Sequence, residues 1–405
     1  MTRNAIIHPF VQRYISRTDL YKVTEYGTRP CKILFPKLFE KNIHMMKMIL
    51  NDSVIDYRIY FANKATKSNI FVKTAKKQNI WLDVSSLQEL QDALAIWYNP
   101  EHIIGNGPKD LVFLRLCLEN NILISVDSLW EIKKILDLHV ISQSKIMLRI
   151  CPPISLSPSR FGITQEDLLK HIDMFIEVHK KYHIHWLNFH IDSIASSDKQ
   201  EMIRHIIQLR ENLLHYNITI QQLWIWWWFG IQYVQDIWIK QISKEYPQWV
   251  REYWFDVLDE LLHTPLADWL NFAQYLRETM TTLHIEPWKL LLDQCGICIH
   301  HILDKKENKL FIDGNMYSLG TIWQEMPHDP LVYTANKTFS EDKQAYMIFW
   351  NLCMEHDKIF SRTIELPENI DIWDILIFVN TAGYFSDFSN SQPIKHNERK
   401  TIIVS

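Results

Sequence analysis

From Tyr57 onward, short apolar runs alternate with longer stretches whose apolar residues recur every three or four positions. The first pattern belongs to strands buried on both faces, the second to amphipathic helices. The predicted strands are Tyr57–Ala62, Trp81–Ser85, His102–Gly105, Ile122–Asp127, Lys145–Ile150, His185–His190, Gln222–Gly230 and Thr282–Glu286. Leu87–Ile96, Leu129–His139, Gln165–Tyr182 and Lys199–Tyr216 read as helices between them. Eight β/α units in about 240 residues predict a closed (β/α)8 barrel of the TIM type over residues 36–285. After Glu286 the runs shorten. Cys295–Ile302, Lys309–Ile312 and Ile375–Asn380 read as strands between turn residues. With a strand from the first 35 residues they predict a β-sandwich or β-barrel domain made of residues 1–35 and 286–405. The fold class is α/β, with a C-terminal β domain.

Barrels of this kind carry function at the C-terminal ends of their strands. Those ends read Lys64, Asp83 with Ser85, Gly105-Asn106-Gly107, Asp127-Ser128, Arg149, His190, a tryptophan run and Glu286. Most are ionisable or conformationally special, so this end of the barrel is the candidate site. Ser85, Ser86 and Ser128 have an equally good reading as helix N-caps.

Composition narrows the function classes. A net charge of −4 gives no basic footprint for nucleic acid. No apolar run has membrane-spanning length, and the N-terminus lacks a secretion-signal layout, so the expected compartment is the cytoplasm. Six cysteines spread over 405 residues make no disulfide framework. Cys295 and Cys298 form a lone CxxC better read as buried strand cysteines than as a metal site. No metal is expected. His183, His185, His300 and His301 read as ordinary surface or core residues.

The strand-end residues fall into an ordered series of motifs. Tyr60-Phe-Ala-Asn-Lys64-Ala resembles the YAxKA strand of ornithine, diaminopimelate and arginine decarboxylases. Asp83-Val-Ser-Ser-Leu-Gln-Glu89-Leu resembles their D-x-x-S-x-x-E-L segment. Ser159-Arg-Phe-Gly162 resembles S-[KR]-F-G, and Phe189-His190-Ile-Asp-Ser193 resembles H-x-G-S. Glu286-Pro-Trp-Lys289 resembles EPGR, Cys353-Met-Glu-His-Asp357 resembles C-x-x-x-D, and Thr381-Ala-Gly-Tyr384 stands at their G-A-Y. The resemblance is to fold-type III pyridoxal-phosphate decarboxylases, whose barrel is shared with alanine racemase, and it covers nearly the whole chain.

That resemblance implies pyridoxal 5'-phosphate as cofactor, with Lys64 as the Schiff-base lysine. It implies that Glu286 pairs with the pyridine nitrogen, that His190 stacks on the ring, and that Asp83 and Arg149 orient Lys64 and the ring oxygen. Ser193, Tyr384 and the loop at Trp226, Trp227 and Trp228 would face the phosphate, with Lys289 also at the cofactor. Cys353, delivered by a second subunit, would protonate the carbanion left by decarboxylation, which implies a homodimer with shared active sites. Glu355 and Asp357 are the candidates for substrate contact, since Met354 stands where diamino-acid decarboxylases place a carboxylate. An amino acid is the expected substrate. The alternatives are a racemase-like reaction on the same barrel and a cofactor-free regulator of a partner decarboxylase.

One count departs from a globular protein. Glycine occurs 9 times and tryptophan 16 times, although average usage predicts roughly 28 glycines in such a chain. Tryptophan occupies family-glycine positions at Trp81, Trp97, Trp186, Trp226, Trp227, Trp228, Trp288, Trp350 and Trp373. Three of these replace the G-G-G loop whose backbone N–H groups cradle the cofactor phosphate. Both deviations are expected from a gene in which UGA encodes glycine, translated as though UGA encoded tryptophan; the alternative is a degenerate pseudoenzyme that kept the fold with genuine tryptophans.

Overall fold

A computed structural model of the chain describes residues 3–25, 30–52, 56–153, 159–190, 196–225, 282–315, 318–319, 326–384, 386 and 400–404. Strand β1 (Cys31–Leu34) precedes a parallel sheet formed by β2 (Asp56–Ala62), β3 (Trp81–Val84), β4 (Ile103–Gly105), β5 (Leu123–Val126), β6 (Ile146–Arg149), β7 (Ile184–Phe189), β8 (Gln222–Ile225) and β9 (Thr282–Ile285). Their order is β8-β7-β6-β5-β4-β3-β2-β9, all neighbours parallel. The ends of this path, β8 and β9, lie beside each other, so the sheet curls into a TIM-like barrel. All eight strands coincide with the apolar runs read from the sequence. The expected strand Gln222–Gly230 is described as far as Ile225, and its remainder lies outside the described residues.

Local sequence signals set the helices that surround the barrel. Ser86 and Ser128 each stand at a helix N-cap, their hydroxyls accepting from Glu89 N–H and Glu131 N–H. The two glutamates reach back in turn. Glu89 accepts from Ser85 N–H at 2.7 Å, and Glu131 accepts from Asp127 N–H at 2.9 Å. These reciprocal pairs fix the strand-to-helix turns at the candidate-site end of β3 and β5. The stretch Gln165–Tyr182, expected as one helix, is divided at His171, whose φ and ψ of −113° and 28° leave the helical range.

A layer of side chains joins the strands across the barrel interior. Tyr60 donates its hydroxyl to His284 Nδ1 at 3.0 Å, and His284 Nε2 donates to Gln222 Oε1 at 3.0 Å. Burial and the nearby Arg58 charge hold His284 well below the usual imidazole range, so it is the neutral ring that bridges β2 to β8. Arg58 lies over both Trp81 (4.6 Å) and Trp186 (5.6 Å).

The second sheet combines β1 with β10 (Gly296–Lys306), β11 (Lys309–Ile312), β12 (Leu331–Tyr333), β13 (Lys343–Phe349), β14 (Ile364–Pro367), β15 (Ile375–Phe378) and β16 (Lys400–Ile403). β10 is its spine, antiparallel to β1, β11 and β15. Cys298, His300 and His301 are all buried within β10. One carboxylate, Asp313, takes both histidines, at 2.9 Å from His300 Nδ1 and 3.2 Å from His301 Nδ1.

Two of the nine tryptophans have a backbone that argues for glycine. Trp97 has φ +56° and Trp373 has φ +71°, the left-handed region that a bulky side chain disfavours. Their rings are 85% and 54% exposed, so no packing compensates for that conformation. Trp186 and Trp350, by contrast, are enclosed. The segment Trp226-Trp227-Trp228 lies outside the described residues, as does the side chain of Trp288.

Candidate active site

Lys64 sits in the single 3-10 turn Asn63–Ala65 that ends β2, where Thr66 N–H returns to Asn63 O at 3.1 Å. That turn lifts the amine off the strand axis, leaving the side chain 38% exposed in the barrel mouth. Across the mouth, Glu286 follows β9 with a side chain of 0% exposure, its Oε1 4.0 Å from Lys64 Nζ. Neither Glu286 oxygen receives a hydrogen bond among the described residues. Burial, and next the Asp83 carboxylate, push the Glu286 pKa well above the usual range, while Lys64 and Arg149 oppose the shift. The Glu286 carboxyl faces that of Asp83.

Asp83, the third residue of β3, is also fully buried. Its Oδ2 accepts from Asn106 Nδ2 at 3.0 Å, and its Oδ1 has no hydrogen-bond donor among the described residues. Arg149 ends β6 and reaches Asp127 Oδ1 at 3.3 Å. The ring of Phe161 lies 4.6 Å from its guanidinium carbon. Phe161 is brought there because the segment through Gly162 folds back on β6, with Ile163 N–H donating to Arg149 O and Cys151 N–H to Ile163 O. The approach requires glycine: at φ +89°, a Cβ on Gly162 would stand 2.7 Å from Cys151 N.

His190 follows β7. Burial, then the charges of Arg149 and Lys64, lower its pKa to about 4, so the ring is neutral near pH 7. Tyr384 lies in the turn that follows β15. Its N–H donates to Ala65 O at 2.8 Å, and its φ is +54°, a strained conformation that the surrounding turn enforces. Burial and the Glu286, Asp83 and Glu89 carboxylates raise its phenol pKa.

Six of the expected residues therefore converge: Lys64, Asp83, Arg149, His190, Glu286 and Tyr384. Glu89 joins them. It was legible as part of its motif but had been given no role, and burial pushes its pKa up to about 7 beside Asp83 and Lys64. Cys353 and Glu355 are exposed on the connection from β13 to β14, and Asp357 is buried at the base of that connection. Lys289 stands in the short helix Trp288–Leu291, its side chain outside the described residues. Ser193 lies outside the described residues, as do Trp226, Trp227 and Trp228. No group of metal-ligating side chains occurs among the described residues.

These residues fit a pyridoxal ring. A buried carboxylate with two undonated oxygens is costly unless a donor arrives, and a protonated ring nitrogen is such a donor. The amine of Lys64 stands 4.0 Å from that carboxylate, able to hold a carbonyl carbon.

The comparisons agree. The family model described as pyridoxal-dependent decarboxylase, pyridoxal binding domain, matches residues 36–257. An uncharacterized protein, y4yA, of Sinorhizobium fredii is 26% identical over 396 residues, covering 91% of this chain and 86% of that one. The diaminopimelate decarboxylase of Staphylococcus aureus is 25% identical over 353 residues, covering 82% and 78%. Among solved structures, the M. jannaschi diaminopimelate decarboxylase superposes with a TM-score of 0.75 at 18% identity, covering 99% of this chain and 93% of that one. The Paramecium bursaria Chlorella virus arginine decarboxylase bound to agmatine gives 0.70 at 17%, covering 95% and 98%. The chain thus belongs to the fold-type III family of pyridoxal-phosphate-dependent decarboxylases.

Proposed function

We propose that this protein decarboxylates an amino acid, with Lys64 carrying the cofactor and Cys353 returning a proton to the substrate carbon. The observation that carries the reading is the buried, undonated Glu286 carboxylate 4.0 Å from the Lys64 amine. Bound pyridoxal phosphate supplies the electron sink for the pair left when carbon dioxide departs. Glu286 offers the ring nitrogen an acceptor, and pairing there restores the ionised carboxylate that burial alone disfavours. His190, neutral because it is buried beside two cations, covers the ring without adding charge. Asp83 and Arg149 would orient Lys64 and the ring oxygen of a bound cofactor. Ser193, Tyr384, Lys289 and the loop at 226–228 are the proposed cofactor contacts on the phosphate side.

Cys353 is exposed on the tip of a β connection, so its role requires a second copy of the chain to bring it to the barrel mouth. We therefore propose a homodimer, with residues 36–285 as the cofactor unit and residues 1–35 with 286–405 as the unit that meets the partner. Glu355, exposed beside Cys353, is the proposed substrate contact.

Two measurements test the assignment. Protein with glycine at the nine positions, reconstituted with pyridoxal phosphate, is expected to show a Schiff-base absorption band that Lys64→Ala abolishes. Carbon dioxide release from a panel of amino acids then distinguishes decarboxylation from racemisation; inversion without gas release refutes the decarboxylase reading.

A further inference from the structure

The residues from Trp350 to Lys358 close the connection between β13 and β14, and they are tied at the neck from both sides. Phe349 and Lys358 form an antiparallel bridge, and Trp350 N–H donates to Asp357 O at 2.9 Å. Asn351 N–H donates to Gly314 O at 3.2 Å. Beyond this anchored neck, Cys353 through His356 are all exposed.

The thiol-bearing residue sits at the apex of a smaller turn. Met354 N–H donates to Leu352 O at 2.7 Å, the two-residue closure of a γ-turn centred on Cys353. Both flanks of this turn are held by one residue. The Asp357 carboxylate, 1% exposed, accepts from Leu352 N–H at 2.7 Å, and Asp357 N–H donates to Met354 O at 3.1 Å. Backbone pairing already closes the neck, so the buried carboxylate is not needed for that. What it adds is a charge-assisted hydrogen bond to the N–H of Leu352, the residue before Cys353, of the kind that fixes direction as well as distance.

We propose that Asp357 is a positioning residue for the Cys353 thiol, acting through the Leu352 N–H and so setting where the proton is delivered. The inference rests on the reading of Cys353 as proton donor. An aspartate at this position thus serves the tip of its own loop and not the substrate's distal group.

The test uses the reconstituted holoenzyme and the amino acid that releases carbon dioxide fastest in the panel. Cys353→Ala is the control: unchanged turnover in that variant overturns the donor reading itself and with it this proposal. With the donor reading intact, Asp357→Ala is expected to lower kcat at least tenfold with KM within twofold, and Asp357→Asn, which keeps a carbonyl acceptor, to recover most of that loss. Two further readouts separate positioning from general damage. Leu352 amide exchange is expected to lose protection at least tenfold in Asp357→Ala while that of β13 and β14 is unchanged. In deuterated water the wild type is expected to place deuterium in one configuration at the decarboxylated carbon, and the variant in both. Should Asp357→Ala fail to accumulate folded, Asp357→Ser takes its place, since its hydroxyl is too short to span the same gap. A folded variant lacking Leu352 protection that keeps wild-type kcat and a single deuterium configuration overturns the proposal.

Discussion

Lys64 Nζ and Glu286 Oε1 lie 4.0 Å apart across the barrel mouth, one amine in contact with solvent and one carboxylate sealed from it. The asymmetry has a cost without cofactor. Glu286 has no hydrogen-bond donor among the described residues, and a buried carboxyl left in that state weakens the fold by about 1–3 kcal/mol.

Replacing Glu286 is therefore expected to act in opposite directions on activity and stability. Glu286→Gln should lower kcat/KM about 100-fold, roughly 2.7 kcal/mol, because a neutral amide cannot support a protonated ring nitrogen. The same variant, stripped of cofactor, should unfold at equal or higher denaturant concentration than wild type, by about 1 kcal/mol. Steady-state kinetics and urea titration of the stripped protein check the pair.

His190 makes stability fall in acid. Its folded pKa of about 4 lies below the usual imidazole value of 6.5, so between those values the unfolded chain binds a proton that the folded protein refuses. The penalty is absent above pH 6.5 and grows as pH falls toward 4. Wild type is expected to lose about 1–2 kcal/mol more than His190→Gln between pH 7 and pH 5, measured by urea midpoints at each pH.

Glu89 has the opposite sign. Its pKa is raised from 4.5 to about 7, so in that window the folded protein keeps a proton that the unfolded chain releases. Its contribution to stability is lost as pH rises through the window. Glu89→Gln is expected to flatten the decline in thermal midpoint between pH 5 and pH 8; a variant that tracks wild type over that range contradicts the assignment.

Trp97 and Trp373 provide a structural test of recoding. Trp97→Gly and Trp373→Gly are each expected to stabilise the chain by about 1 kcal/mol through relief of left-handed backbone. Trp97→Ala and Trp373→Ala keep a Cβ and should gain little. Denaturant midpoints of the four variants decide it at the level of the protein. The gene decides it independently, since UGG at positions 226–228 refutes recoding.

Much of the barrel was legible because a parallel strand is a short, local object. The runs at Tyr57–Ala62 and Lys145–Ile150 announce themselves by apolar content, and their polar ends fall on one rim by the logic of the fold. Ser86 and Ser128 were equally local, as helix caps. Non-local pairing was less visible: no short-range signal in Cys31–Leu34 says that it runs antiparallel to β10 and parallel to β16. Glu89 was seen but assigned no role, because its capping bond to Ser85 explains it fully until the neighbouring Asp83 is placed beside it in space. Asp357 has two readings for a related reason. Its place four residues after Cys353 suggests a substrate ligand, while its burial and its bond to Leu352 N–H support the positioning role proposed above.

The hydrogen bond from Tyr384 N–H to Ala65 O joins the last third of the chain to the residue right after Lys64. A gene fragment encoding the barrel alone would thus leave the Lys64 turn without one of its fastenings, and swapping the C-terminal region for that of a relative would alter how firmly the amine is held. Any engineered or natural recombination between the two units is expected to preserve this bond if the turn at Lys64 is to be held as it is here.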